Sequence, residues 1–87
     1  MLSYYLFTFE SSNKAMAAKT ATKNIEDMRI IPLIPEISAG CGLALKYSGR
    51  ELEEVVKVLK NKNVEFEEVY SVGEDRVIER VRDDLFR

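Results

Sequence analysis

The chain has no histidine, no tryptophan and a single cysteine, Cys41, in 87 residues. Without histidine no Ser-His or Cys-His pair can be assembled, so the usual base for an activated hydroxyl or thiol is missing. One cysteine excludes an intramolecular disulfide, and also a zinc site built from the Cys and His ligands of one chain. Glycine is scarce, at four residues, and no glycine-rich phosphate loop of recognised spacing occurs. No apolar run approaches the roughly 20 residues of a membrane helix. The N-terminus lacks the basic start and small-residue cleavage site of a signal peptide. Thirteen basic residues against fifteen acidic ones leave a net charge of −2, which is no footprint for nucleic acid or an anionic membrane. The expectation is a cytoplasmic protein that keeps its one thiol reduced, with no metal, no cofactor, no nucleic acid and no membrane partner.

What is present is enough apolar sequence for one small core, 46% of residues, in a chain of single-domain length. Residues 3–9 are rich in β-formers. Tyr5, Phe7 and Phe9 share one face and Tyr4, Leu6 and Thr8 the other. Both faces are largely apolar, so a central strand is expected. Glu10 to Asn13 offers N-cap residues. A helix follows from Lys14, with Ala15, Ala18, Thr22 and Ile25 at helical spacing. Arg29 to Ile34 reads as a second strand, confined to a sheet edge because Pro32 has no N–H to donate. After a loop over 35–40, Leu43, Leu45 and Tyr47 alternate as a half-buried third strand. Ser48 and Glu51 have the spacing of a capping box. Leu52, Val55, Val56 and Leu59 form the stripe of a second helix, closed by Asn61-Lys62-Asn63 with an asparagine as left-handed cap. Val64, Phe66 and Tyr70 suggest a fourth strand. The clustered acids, Glu51, Glu53 and Glu54, then Glu65, Glu67 and Glu68, read as solvated faces.

The order β-α-β-β-α-β is that of an α+β, ferredoxin-like split sandwich. The expected sheet is antiparallel in the order 4-1-3-2, with both helices on one face, over residues 1–72. Residues 73–87 form an extension. In it Val77, Ile78, Val81 and Leu85 have the spacing of an additional amphipathic C-terminal helix. That helix could cover the bare sheet face or pair two chains as a homodimer.

This topology brings the end of the first strand, the start of the first helix and the start of the third strand to one end of the sheet. Cys41 lies between Gly40 and Gly42, an open backbone setting that suggests a reachable thiol. A helix N-terminus can lower a thiol pKa from about 8.5 toward roughly 7 without a histidine. Its N–H groups, with Ser11, Ser12 and Ser38, could cradle a small anion. Glu10 opposes this, because a nearby carboxylate raises a thiol pKa. Cys41 as nucleophile, with Ser11, Ser12, Gly40 and Gly42 around it, stands beside two other readings. One is a regulatory or protein-interaction module in which the cysteine is a small apolar filler. The other is a thiol-dependent transferase.

The segment Tyr5-Leu6-Phe7-Thr8-Phe9-Glu10-Ser11, then Ile31-Pro32, then Ile37-Ser38-Ala39-Gly40-Cys41-Gly42-Leu43-Ala44-Leu45, resembles the small "putative selenium/sulfur carrier protein-like" family over about residues 4–70. The resemblance implies a carrier rather than a catalyst. Cys41 would hold a sulfur or selenium atom as a persulfide or selenylsulfide, and the partners would be donor and acceptor proteins.

Overall fold

A computed structural model of the chain describes residues 2–33 and 42–81. Among these residues seven elements run β1 (Leu2–Thr8), α1 (Ser12–Ala21), β2 (Met28–Pro32), β3 (Leu43–Tyr47), α2 (Leu52–Asn61), β4 (Val69–Gly73) and β5 (Ile78–Arg80). They form one antiparallel five-stranded sheet in the order β2-β3-β1-β4-β5 and two helices. β1 is interior, paired with β3 through Tyr5↔Tyr47 to Thr8↔Ala44 and with β4 through Phe7↔Val69. β2 is an edge strand, as its Pro32 demands.

Both helices pack on one face. Phe7, Phe9, Leu45, Tyr47 and Val69 of the sheet side meet Ala15 and Ala18 of α1 and Val55, Val56 and Leu59 of α2. The alanines let α1 approach β2 and β3 closely. Phe7, completely buried, sets its ring edge-on to Phe66 with centroids 5.3 Å apart. The other face of the same strands buries Leu6, Ala44 and Val72. The two-sided character of β1 is therefore real.

Local chemistry explains where the helices start and stop. Ser11 caps α1, its hydroxyl accepting from the Lys14 N–H at 3.2 Å. At the end of α2, the Val64 N–H bonds the Leu59 carbonyl at 2.9 Å and the Asn63 N–H bonds that of Lys60 at 3.1 Å, with Asn63 at φ 57°. That is a Schellman closure, with asparagine supplying the left-handed residue. The expected capping box is not formed. Ser48 stays on the sheet ladder, its N–H bonded to the Asp27 carbonyl at 3.0 Å, and Glu51 makes no side-chain cap. The buried Tyr47 hydroxyl takes over, accepting from the Glu51 N–H at 2.9 Å.

Tyr47 also fixes a glycine. A Cβ at Gly49 would run into the Tyr47 ring and hydroxyl, and that ring is stacked on Tyr5 with its centroid 6.4 Å away. Gly49→Ala should cost about 1–3 kcal/mol through overpacking. Scanning calorimetry checks this, and an unchanged melting temperature would refute it.

Two further expectations need correction. The fourth strand begins at Val69, not Val64. Val64 and Phe66 pack on the helix-side core from an irregular segment. That segment is held to β1 by reciprocal bonds from Thr8 N–H to Glu68 O, 2.9 Å, and Glu67 N–H to Thr8 O, 2.8 Å. The additional C-terminal helix is replaced, over Ile78–Arg80, by strand β5, so the sheet order differs from 4-1-3-2 by a strand added beyond β4. Asp75 explains the change. Its carboxylate accepts from the Val77 N–H at 3.1 Å, and the Gly73 N–H bonds Val77 O at 2.9 Å, which closes a hairpin instead of opening a helix. Leu85, and Ile34 at the expected end of β2, lie outside the described residues.

Candidate functional site

The sheet end that carries the candidate site is built from three chain segments. β1 ends at Thr8, paired with Ala44, so the start of β3 and the start of α1 stand at the same end of the sheet. β2 ends there too, with Pro32 opposite Leu43. One step further, the Leu33 N–H donates to the Gly42 carbonyl at 2.9 Å. This bond ties together the two ends of segment 34–41. Cys41, Gly40 and Ser38 belong to that segment and lie outside the described residues.

Gly42 is the described residue next to the thiol. Its φ is 69°, and a Cβ built there would meet nothing within 4 Å. The glycine is therefore required by backbone conformation rather than by crowding. It is exposed, in open space at the mouth of the sheet end.

Ser11 and Ser12 stand at the opening of α1. The Ser11 hydroxyl is already engaged as the helix cap, and its carbonyl accepts from Ala15 N–H at 3.1 Å. Ser12 is exposed as the first helical residue. The first turn of α1 contains no acidic side chain, so nothing within it offsets the positive end of the helix dipole. Glu10, the carboxylate expected to oppose thiol activation, is paired. Its Oε2 lies 2.9 Å from the Lys14 Nζ, and Glu65 Oε2 stands 3.8 Å from the same ammonium. The hydrogen bond and charge of Glu10 hold the Lys14 ammonium above the usual lysine range. This pair is the site feature the sequence reading missed. Its signal was the i,i+4 spacing of Glu10 and Lys14.

Among the described residues no group of three or more Asp, Glu, Cys or His side chains could hold a metal ion. None of their helices is long and apolar enough to cross a membrane. The local arrangement offers helix N–H groups, hydroxyls and a lysine at one sheet end. Of these, the Ser11 hydroxyl is engaged by the Lys14 N–H and the Lys14 ammonium by Glu10 and Glu65.

No curated protein and no solved structure matches the chain. A family model does, over residues 4–71, a span that runs from within β1 to within β4 and includes Cys41, Gly40, Gly42, Ser11 and Ser12. On that match the chain belongs to the family described as "Putative Se/S carrier protein-like".

Proposed function

We propose that this protein carries a single sulfur or selenium atom on Cys41 between a donor and an acceptor protein in the cytoplasm. The observation that carries the reading is the family match over 4–71, which contains the chain's one thiol. The loading step is a displacement at sulfur or selenium. The Cys41 thiolate attacks the terminal atom of a donor persulfide or selenylsulfide. The bond between that atom and the donor's cysteine breaks, and the donor leaves as a thiolate. The acceptor's thiolate then attacks the terminal atom carried on Cys41, the bond between that atom and the Cys41 sulfur breaks, and Cys41 leaves as a thiolate. Each transfer conserves electrons, so neither oxidant nor reductant is consumed.

Several features support this role. A carrier needs a reachable thiol and docking surfaces, not a base or a metal. The Leu33–Gly42 bond anchors the segment bearing Cys41 at both ends. The Glu10–Lys14 pair offsets the carboxylate that would disfavour a thiolate at this sheet end. The underlying fold is best read as the ferredoxin-like arrangement, β1 flanked by β3 and β4 with β2 outside β3, extended by β5.

Intact-mass analysis of protein isolated from its native host without reductant tests the proposal. A fraction heavier by one sulfur or one selenium atom, mapped to Cys41 and removed by dithiothreitol, is the expected result, and it tells the two elements apart. Protein that is wholly unmodified, in preparations where another carrier from the same cells is loaded, would count against it.

A further inference from the structure

The face of the sheet opposite the helices has a chemistry unlike the rest of the molecule. Leu6 and Ala44 are fully buried and Val72 nearly so, and Tyr4, Ile31, Leu33, Tyr70 and Ile78 pack around them half-exposed. No described helix lies against this cluster. The strand register adds charge of one sign. Arg29 stands opposite Lys46, and Arg80 opposite Tyr70. Lys46 is fixed to this face by its ammonium, 4.6 Å from the centre of the Tyr4 ring. Glu68 lies 3.5 Å from Arg80. Three cations and one anion give these residues +2, while the described residues together hold eleven Lys and Arg against twelve Asp and Glu, a sum of −1, so the other described residues carry −3.

We propose that this face, against which no described helix lies, is the docking surface for an acidic, apolar surface of the donor or acceptor protein. The identity of the partner as donor or acceptor rests on the carrier reading; the docking chemistry does not. The charge asymmetry is the argument. An acidic partner is attracted by the face and repelled by the remaining surface, so it is steered to one orientation. A second copy of the chain is disfavoured, because face-to-face pairing sets three cations against three. Single-stranded nucleic acid is disfavoured because Lys46 already occupies the Tyr4 ring that a base would stack on, and three cations make a weak phosphate track.

Amide shifts of labelled protein, titrated with three probes, decide the matter. The probes are an amphipathic peptide alternating Glu with Leu and Phe, its Lys-for-Glu counterpart, and oligothymidylate. The acidic peptide should shift Tyr4, Arg29, Lys46, Tyr70 and Arg80, with binding weakened about tenfold or more on moving from low salt to 0.5 M. R29E/K46E/R80E should abolish the shifts, and the milder R29Q/R80Q should weaken them if the triple variant does not fold. Equal or tighter binding of the Lys peptide or of oligothymidylate overturns the proposal. So do shifts on this face that appear with protein concentration alone, or no response to the acidic peptide. Cys41→Ser should bind the peptide as wild type does, so failure here and failure of the mass experiment are separately visible.

Discussion

Cys41→Ala should take up no label from a cysteine desulfurase supplied with radiolabelled cysteine, under conditions that load the wild-type chain. The expected effect is complete, because the chain has no second cysteine and no histidine to accept the atom. A persulfide forms only where a thiolate can attack, and no lysine or carboxylate replaces sulfur in that role. Matching circular dichroism and melting temperature of variant and wild type show that a loss of label is not a loss of fold. If wild type and variant alike stay unlabelled while a known carrier is loaded in parallel, the carrier reading fails. The pH dependence of alkylation then separates the alternatives. A thiol that reacts only once the protein unfolds fits an interaction module with a structural cysteine.

Phe7→Ala should cost about 3–5 kcal/mol, the usual range for removing a buried phenylalanine ring. Phe7 sits at 0% exposure on the central strand, between the helices and the sheet, and anchors Phe66 edge-on. Its loss opens a cavity bordered by elements from both ends of the chain, so local collapse cannot fill it. A small domain holds roughly 5–15 kcal/mol in all, and each kcal/mol is worth about 4–8 °C of melting temperature at this size. Urea titration with tryptophan-free detection, by circular dichroism, reads the change. A loss below about 1 kcal/mol, the floor for a well-packed core site, would show that the helix layer does not rest on this ring.

The parts of the fold legible in the sequence were those fixed by short-range periodicity. The alternation of Tyr4–Phe9 on two apolar faces marked the interior strand, and Pro32 marked an edge. Leu52, Val55, Val56 and Leu59 marked the face of α2, of which Val55, Val56 and Leu59 are fully or almost fully buried. Asn61-Lys62-Asn63 was recognisable as a closure with an asparagine cap, and Asn63 is the one with a left-handed backbone. What misled was chemistry with two local solutions. Gly73-Glu74-Asp75 has the composition of a helix start, but a carboxylate that bonds the N–H two residues on makes a turn equally well. The choice fell to β4, whose outer amides and carbonyls find partners only in a hairpin. Ser48 and Glu51 have capping-box spacing, yet the sheet keeps Ser48 and a tyrosine from the preceding strand does the capping. Long-range pairing decided both cases, and no window of a few residues contains it. At the candidate site the sequence supplied the thiol and its glycine neighbour. It did not reveal that Glu10 is engaged by Lys14, because that spacing has consequences only once α1 begins at Ser12.

The added strand β5 has an effect on how molecules of this protein meet sideways. It is three residues long and occupies the flank of β4, while at the opposite margin β2 ends in a proline. Among the described residues neither border then presents a long row of unsatisfied amides, which leaves strand-by-strand growth into fibrils or edge-paired polymers a poor template there. Crowded preparations should therefore stay free of cross-β assemblies, and trimming the chain before Ile78 should make them prone to form.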